Sequence, residues 1–182
     1  EAFHSQVPKI EKAEFNIEVE SLGAENQPVV VTQNEYMRRM KEMSRFQQGM
    51  GFYGQMPDTY TLVVNSEHPI VEEILNNGES ETSTKLKPIL SEIKGLEARL
   101  AVLRQEQSKK KAEEVSQEEK DDISKTEKDI EAQKDQKKQV IAGYAKGNDK
   151  IQQLIDLALL QNGMLKGADL AQFIKRSISL IK

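Results

Sequence analysis

The chain predicts an α+β fold: a small three-stranded sheet with helices on one face, into which a long antiparallel helical hairpin is inserted. Three observations carry that expectation. Short runs with strand patterning occur before residue 66, an apolar heptad rhythm appears twice with a charged stretch between, and the closing segments are densely apolar at helical spacing. The 182 residues suit one domain with an appendage. With 37% apolar against 31% charged residues, part of the chain must be solvated structure rather than core.

Phe15–Glu20 (FNIEVE) alternates apolar and polar, as a half-buried strand does. Leu22–Gln27 carries turn chemistry, and Pro28–Thr32 (PVVVT) reads as a second, more buried strand with proline at its tolerated first position. Asn34–Phe46 has helical character. Gln47–Pro57, with three glycines and a proline, reads as a mobile loop, and Thr59–Asn65 (TYTLVVN) as the third strand. Glu67–Leu75 predicts a short helix stopped by Asn76-Asn77-Gly78.

Leu86, Ile89, Ile93, Leu96, Leu100 and Leu103 then keep an a/d rhythm. It lapses through QSKKKAEEVSQEE and resumes at Ile123, Thr126, Ile130, Gln133, Lys137 and Val140. Folding the chain back near position 113 sets Leu103 opposite Ile123, Leu96 opposite Ile130 and Leu86 opposite Val140. Ser116, with Glu119 three residues on, forms a capping box that starts the second arm. The polar seam positions Thr126, Gln133 and Lys137 predict weak packing and a tip that frays. The expected division is residues 1–82 plus 147–182 as the main domain and 83–146 as the inserted hairpin. A solvated charged insert is the competing reading.

Ile151–Gln161, stopped by Asn162-Gly163, carries apolar side chains nearly all round its axis, and such a helix must be covered on more than one side. The last helix, Asp169–Lys182, with Asp169 as N-cap and Gln172 completing a capping box, sets Lys175, Arg176 and Ser179 opposite an apolar face. Two such helices meeting their copies form a four-helix-bundle dimer interface about a two-fold axis. Its expected members are Ile151, Leu154, Ile155, Ala158 and Leu159 from the first helix, and Leu170, Phe173, Ile174, Ile178 and Ile181 from the second. Burial of both helices within one chain is the alternative.

Five of the six methionines fall between Asn34 and Asp58, interleaved with aromatics and glycines. On a helical wheel Tyr36, Met40 and Met43 suffice to dock Asn34–Phe46 on the sheet, leaving Met37 and Phe46 on the flanks. Met50, Phe52, Tyr53 and Met56 lie on the adjoining loop. Methionine repacks around many partner shapes, so Met37, Met40, Met43, Phe46, Met50, Phe52, Tyr53 and Met56 form a candidate low-specificity apolar binding surface. A core helix with a loop beside it is the plain alternative.

Catalytic chemistry finds no footing in the sequence. The histidines are His4 and His68; His68 with Glu67, Glu72 and Glu73 lacks metal-ligand spacing and reads as a surface residue. No phosphate loop, nucleophile elbow or dinucleotide fingerprint occurs. The net charge of −4 disfavours a nucleic-acid partner, the absence of cysteine excludes disulfides and thiolate-ligated metals, and no run is long enough to predict a membrane span. Catalytic, cofactor and metal residues are therefore expected to be none. A coiled-coil scaffold or adaptor, with the hairpin as its working part, stands as the second functional reading.

NQPVVVTQNEYMRRMKEM, PDTYTLVVNSEHPIVEEIL and LIDLALLQNGMLKGADLAQFIKRSISLI closely resemble the C-terminal domain of the HtpG family, the bacterial ninety-kilodalton heat-shock chaperones. The resemblance covers residues 10–77 and 149–182. It implies that the closing helices are a homodimerisation element and that the methionine-bearing helix contacts unfolded client proteins. It also implies an ATP- and magnesium-dependent cycle run by an N-terminal domain outside this stretch, so the fragment itself is expected to bind no nucleotide and to be no enzyme. The hairpin at 84–146 departs from the family pattern. The ending SISLIK lacks the acidic tail of the eukaryotic members, so no tetratricopeptide co-chaperone is expected there, and a bacterial, cytoplasmic origin is implied.

Overall fold

The computed structural model describes residues 1–44, 56–110 and 115–181, the side chain of Ile181 excepted. The chain forms two compact units, Glu1–Asn77 with Ala145–Lys182, and Gly78–Tyr144.

The first unit holds the sheet. Strands β1 (Ala13–Glu20), β2 (Val29–Gln33) and β3 (Asp58–Asn65) stand in the order β1-β3-β2, with β1 parallel and β2 antiparallel to the central β3. The antiparallel register sets Val29 beside Val64 and Val31 beside Leu62, and all four are buried, as expected of the more apolar strand. On β1 the pleat turns Glu14, Asn16 and Glu18 out to solvent while Phe15 stacks on Tyr60 with ring centroids 5.6 Å apart. The charged outer strand discourages a further strand from pairing there.

Asn65 closes β3 and knits the sheet's end together. It is fully buried, yet every hydrogen bond it makes is with the backbone. Its Oδ1 accepts from the amides of Leu22 (3.1 Å) and Glu67 (3.2 Å), and its Nδ2 donates to the carbonyls of Gly23 (2.8 Å) and Gln27 (3.3 Å). One side chain thus satisfies both the β1–β2 connection and the start of the following segment.

Five α-helices follow among the described residues: α1 (Glu35–Ser44), α2 (Pro69–Ser108), α3 (Gln117–Gly147), α4 (Asp149–Gln161) and α5 (Gly167–Ile181), with a 3₁₀ turn at His4–Gln6. α2 corrects the expected short helix. Its start is as the composition suggests, with Pro69 in the first turn and His68 Nδ1 accepting from the Ile70 amide at 3.2 Å. It then continues through Asn76-Asn77-Gly78 and through Pro88. Gly78 serves packing rather than termination: a Cβ there would meet the Tyr144 ring at 2.8 Å. Val71 and Ile74, both buried, anchor the helix before the weak stretch, and tertiary contacts outweigh the low propensity of Asn-Asn-Gly.

The second unit is the helical hairpin. Ion pairs Arg104–Glu127 (2.7 Å) and Glu97–Lys134 (3.0 Å), with Lys110–Glu119 nearer the turn, run the arms antiparallel. Ile93 and Ile130 are its buried apolar members, and the remaining heptad positions are at least half-covered. Thr126 is buried too, its hydroxyl turned back on the Asp122 carbonyl at 2.7 Å, so this polar seam position satisfies itself locally. The capping box forms as spaced: the Glu119 amide donates to Ser116 Oγ (3.2 Å) and the Ser116 amide to Glu119 Oε2 (3.1 Å).

Candidate functional site

Two apolar surfaces of the first unit are the candidates, and the sequence determines how each is built. α4 begins where Asn148 accepts from the Lys150 amide at 3.1 Å. It ends at Asn162-Gly163 in the double-bonded cap that a left-handed glycine permits: Met164 N donates to Leu159 O and Gly163 N to Leu160 O, both at 2.9 Å, with Gly163 at φ 66°. Between these ends α4 packs on β2, on α5 and on the 3₁₀ turn, and Lys150 pairs with Glu73 of α2 at 2.6 Å.

That convergence corrects half of the expected dimer interface. Ile151, Ile155 and Leu159 are 0% exposed, and Leu154 and Ala158 are buried with them, all within the single chain. The side chains left uncovered on α4 are instead Leu157 and Leu160. On α5, Leu170 and Phe173 are half-buried, whereas Ile174 (50% exposed), Ile178 (57%) and Leu180 are open. The side chain of Ile181 lies outside the described residues. α5 also starts at Gly167, so Asp169 sits in its first turn, where it favours the positive helix end without being the cap.

α5 meets α4 through polar groups. Arg176 is ion-paired with Asp156, which also accepts from Gln152 Nε2 at 2.8 Å, and Gln153 Nε2 donates to Ser177 Oγ at 2.5 Å. Burial pushes the Asp156 carboxyl above the ordinary range, against the opposing pull of Gln152 and Arg176. A raised carboxyl favours folding while it is protonated and loses that contribution as pH rises through its folded pKa. Arg176→Met is therefore expected to cost about 3–5 kcal/mol at neutral pH, where a buried carboxylate would lose its partner. The cost should shrink as pH falls into the acid range and Asp156, pushed up by burial, protonates. Urea denaturation of both proteins at neutral and at acid pH checks this.

α1 carries the second surface. Asn34 Oδ1 accepts from the Met37 amide at 3.2 Å, and the charged side is internally paired: Glu35 with Arg38 and Arg39, and Arg38 with Glu42. The two guanidiniums hold the Glu35 carboxyl down to about 2. Docking corrects the expected stripe of Tyr36, Met40 and Met43. Lys41 donates to the Met56 carbonyl (2.9 Å) and to Asp58 (2.8 Å), Ser44 is buried, and Met40 is half-buried. Tyr36 is 68% exposed, and Met37, Met43 and Met56 are open as well. An ion pair thus seats the helix turned away from its apolar stripe, and more methionine surface faces out than the wheel allows. Met37 and Met56 line one crevice with Pro57 and Thr59. Phe46, Met50, Phe52 and Tyr53, and the loop reading of 47–57 apart from Met56 and Pro57, lie outside the described residues.

A cavity of about 400 Å³ opens beside α4 and α5. Lys146, Asp149, Asp156, Asp169 and Arg176 are the charged side chains that line it, and Arg176 is paired with Asp156. Among the described residues no group of three His, Asp or Glu could hold a metal ion, and no helix is long and apolar enough to cross a membrane. What the first unit exposes is apolar helix surface on α1, α4 and α5.

The chain is 49% identical over 180 residues to the chaperone HtpG of Bacteroides fragilis and 47% identical to that of Bacteroides thetaiotaomicron, in each case over 99% of its length. It is 40% identical to the HtpG of Porphyromonas gingivalis over 98%. No family model and no solved structure matches it. At this identity over nearly its whole length, the chain belongs to the HtpG chaperones. It spans about a quarter of the length of the curated relatives it matches, at 26% of each. The residues of the hairpin lie inside that matched stretch.

Proposed function

We propose that this chain is the C-terminal homodimerisation segment of a bacterial, cytoplasmic HtpG chaperone, and that α1 and its surroundings contribute a surface for unfolded client proteins. One observation carries the first half. α5 turns Arg176 and Ser177 towards α4 and leaves Ile174, Ile178 and Leu180 uncovered, with Leu157 and Leu160 of α4 exposed as well. A helix docked partly through polar side chains, with apolar side chains left uncovered, has that apolar surface available for a partner. A second copy meeting it about a two-fold axis is the closed arrangement that buries the same patch on both chains. Light scattering at low micromolar concentration tests this: twice the 20.6 kDa chain mass is expected, and a single-chain mass refutes it.

Support for the client surface comes from Tyr36, Met37, Met43 and Met56, which are exposed, with Met37 and Met56 lining one crevice. Replacing Tyr36, Met37 and Met43 together by Ser is expected to reduce suppression of a model substrate's aggregation several-fold. Melting should barely move, since exposed substitutions usually change stability by less than about 0.5 kcal/mol each. Unchanged suppression would remove α1 from client binding. ATP and magnesium, in this reading, act in parts of the longer chaperone outside this stretch, and the hairpin is an insertion carried by the dimerisation segment.

A further inference from the structure

The α4–α5 joint is closed by polar side chains where apolar packing would be the simpler solution. Asp156, 5% exposed, is paired with Arg176 and hydrogen-bonded to Gln152. Next to it, Ser177 Oγ accepts from Gln153 and donates to the Phe173 carbonyl at 2.9 Å. Arg176 Nε and Gln153 Oε1, in the same seam, are buried without a hydrogen-bond partner among the described residues. A desolvated ion pair roughly cancels its own attraction, and unmet buried polar atoms cost further stability. This seam is therefore a poor device for strength.

Direction is what it supplies. Apolar burial has no preferred orientation, and α5 has apolar residues on its inner side (Leu170, Phe173) and its outer side (Ile174, Ile178) alike. Rolling α5 about its axis by roughly one residue's turn of 100° would exchange one set for the other. Burial alone does not oppose that roll. The ion pair and the Gln153–Ser177 bond do, because both break when Arg176 and Ser177 leave the seam.

We propose that Asp156–Arg176, with Gln153–Ser177, is an orientation clamp that holds α5 with Ile174 and Ile178 outward for a second copy of the chain. The clamp rests on the self-association reading above, and its residues are positioning residues that need not touch the partner. Asp156→Leu combined with Arg176→Met tests it. The expected result is a melting temperature equal to or above the parent's and a dimer dissociation constant raised at least tenfold, by sedimentation equilibrium. A dissociation constant within twofold of the parent's overturns the clamp. Should the apolar pair not fold, Ser177→Ala removes only the second contact. A threefold or larger rise at unchanged melting supports the clamp, and no rise overturns it. A parent that stays monomeric defeats the self-association reading itself, and the clamp with it.

Discussion

Ile174→Asp combined with Ile178→Asp is expected to give a folded monomer, whereas Ile155→Asp is expected to give no folded protein. All three residues belong to the closing helices, but they occupy opposite environments. Ile155 is 0% exposed on α4, the helix that packs on β2, α5 and the 3₁₀ turn, so a carboxylate there is desolvated. Burying a charge in that way costs more than about 4 kcal/mol, a large share of a domain's whole stability. Ile174 and Ile178 face solvent, so aspartates there leave the chain's own packing intact. In a two-fold interface each substitution occurs twice, and four like charges would be brought together without water. A loss of at least a hundredfold in dimer affinity is expected, read by ultracentrifugation alongside unchanged circular dichroism. A dimer that survives both aspartates would move the interface off α5.

Asn65→Ala should be the most damaging single change in the sheet. Truncation removes an Oδ1 that accepts from two amides and an Nδ2 that donates to two carbonyls. The four backbone groups are left in a site where Asn65 is fully buried. Unmet buried groups cost about 1–3 kcal/mol each, and partial relaxation towards water brings the expected total to about 3–5 kcal/mol. For a chain of this size that lowers the melting temperature by roughly 10 °C or more. Asn65→Asp keeps the accepting oxygens but loses both donations, so it should fall between Ala and the parent. Calorimetry on the three proteins checks the order, and an Ala variant that melts with the parent would show the turn to be held by other contacts.

The sequence was readable wherever a signal and its partner lie within a few residues. The Ser116–Glu119 box is complete within one turn, and the glycine cap at Gly163 closes on carbonyls three to five residues back. The alternation of β1 needs no knowledge of the neighbouring strand to identify the solvent-facing side. Asn76-Asn77-Gly78 looked like the same kind of stop as Asn162-Gly163 and was not. The reason for its glycine is the ring of Tyr144, far along the chain, and no local pattern encodes that approach.

The candidate surfaces divide in the same way. Amino-acid order alone determined that α4 and α5 carry more apolar surface than one face of a helix needs, and that methionines gather around α1. Only the tertiary structure decided which of those side chains are spent on the chain's own core. Ile151, Ile155 and Leu159 vanish because three elements converge on α4, and Tyr36 and Met43 stay open because Lys41 seats α1 on Asp58. Apolar periodicity records how much surface a helix must hide. The direction from which it is hidden depends on contacts between distant parts of the chain, and those exist only once it has folded.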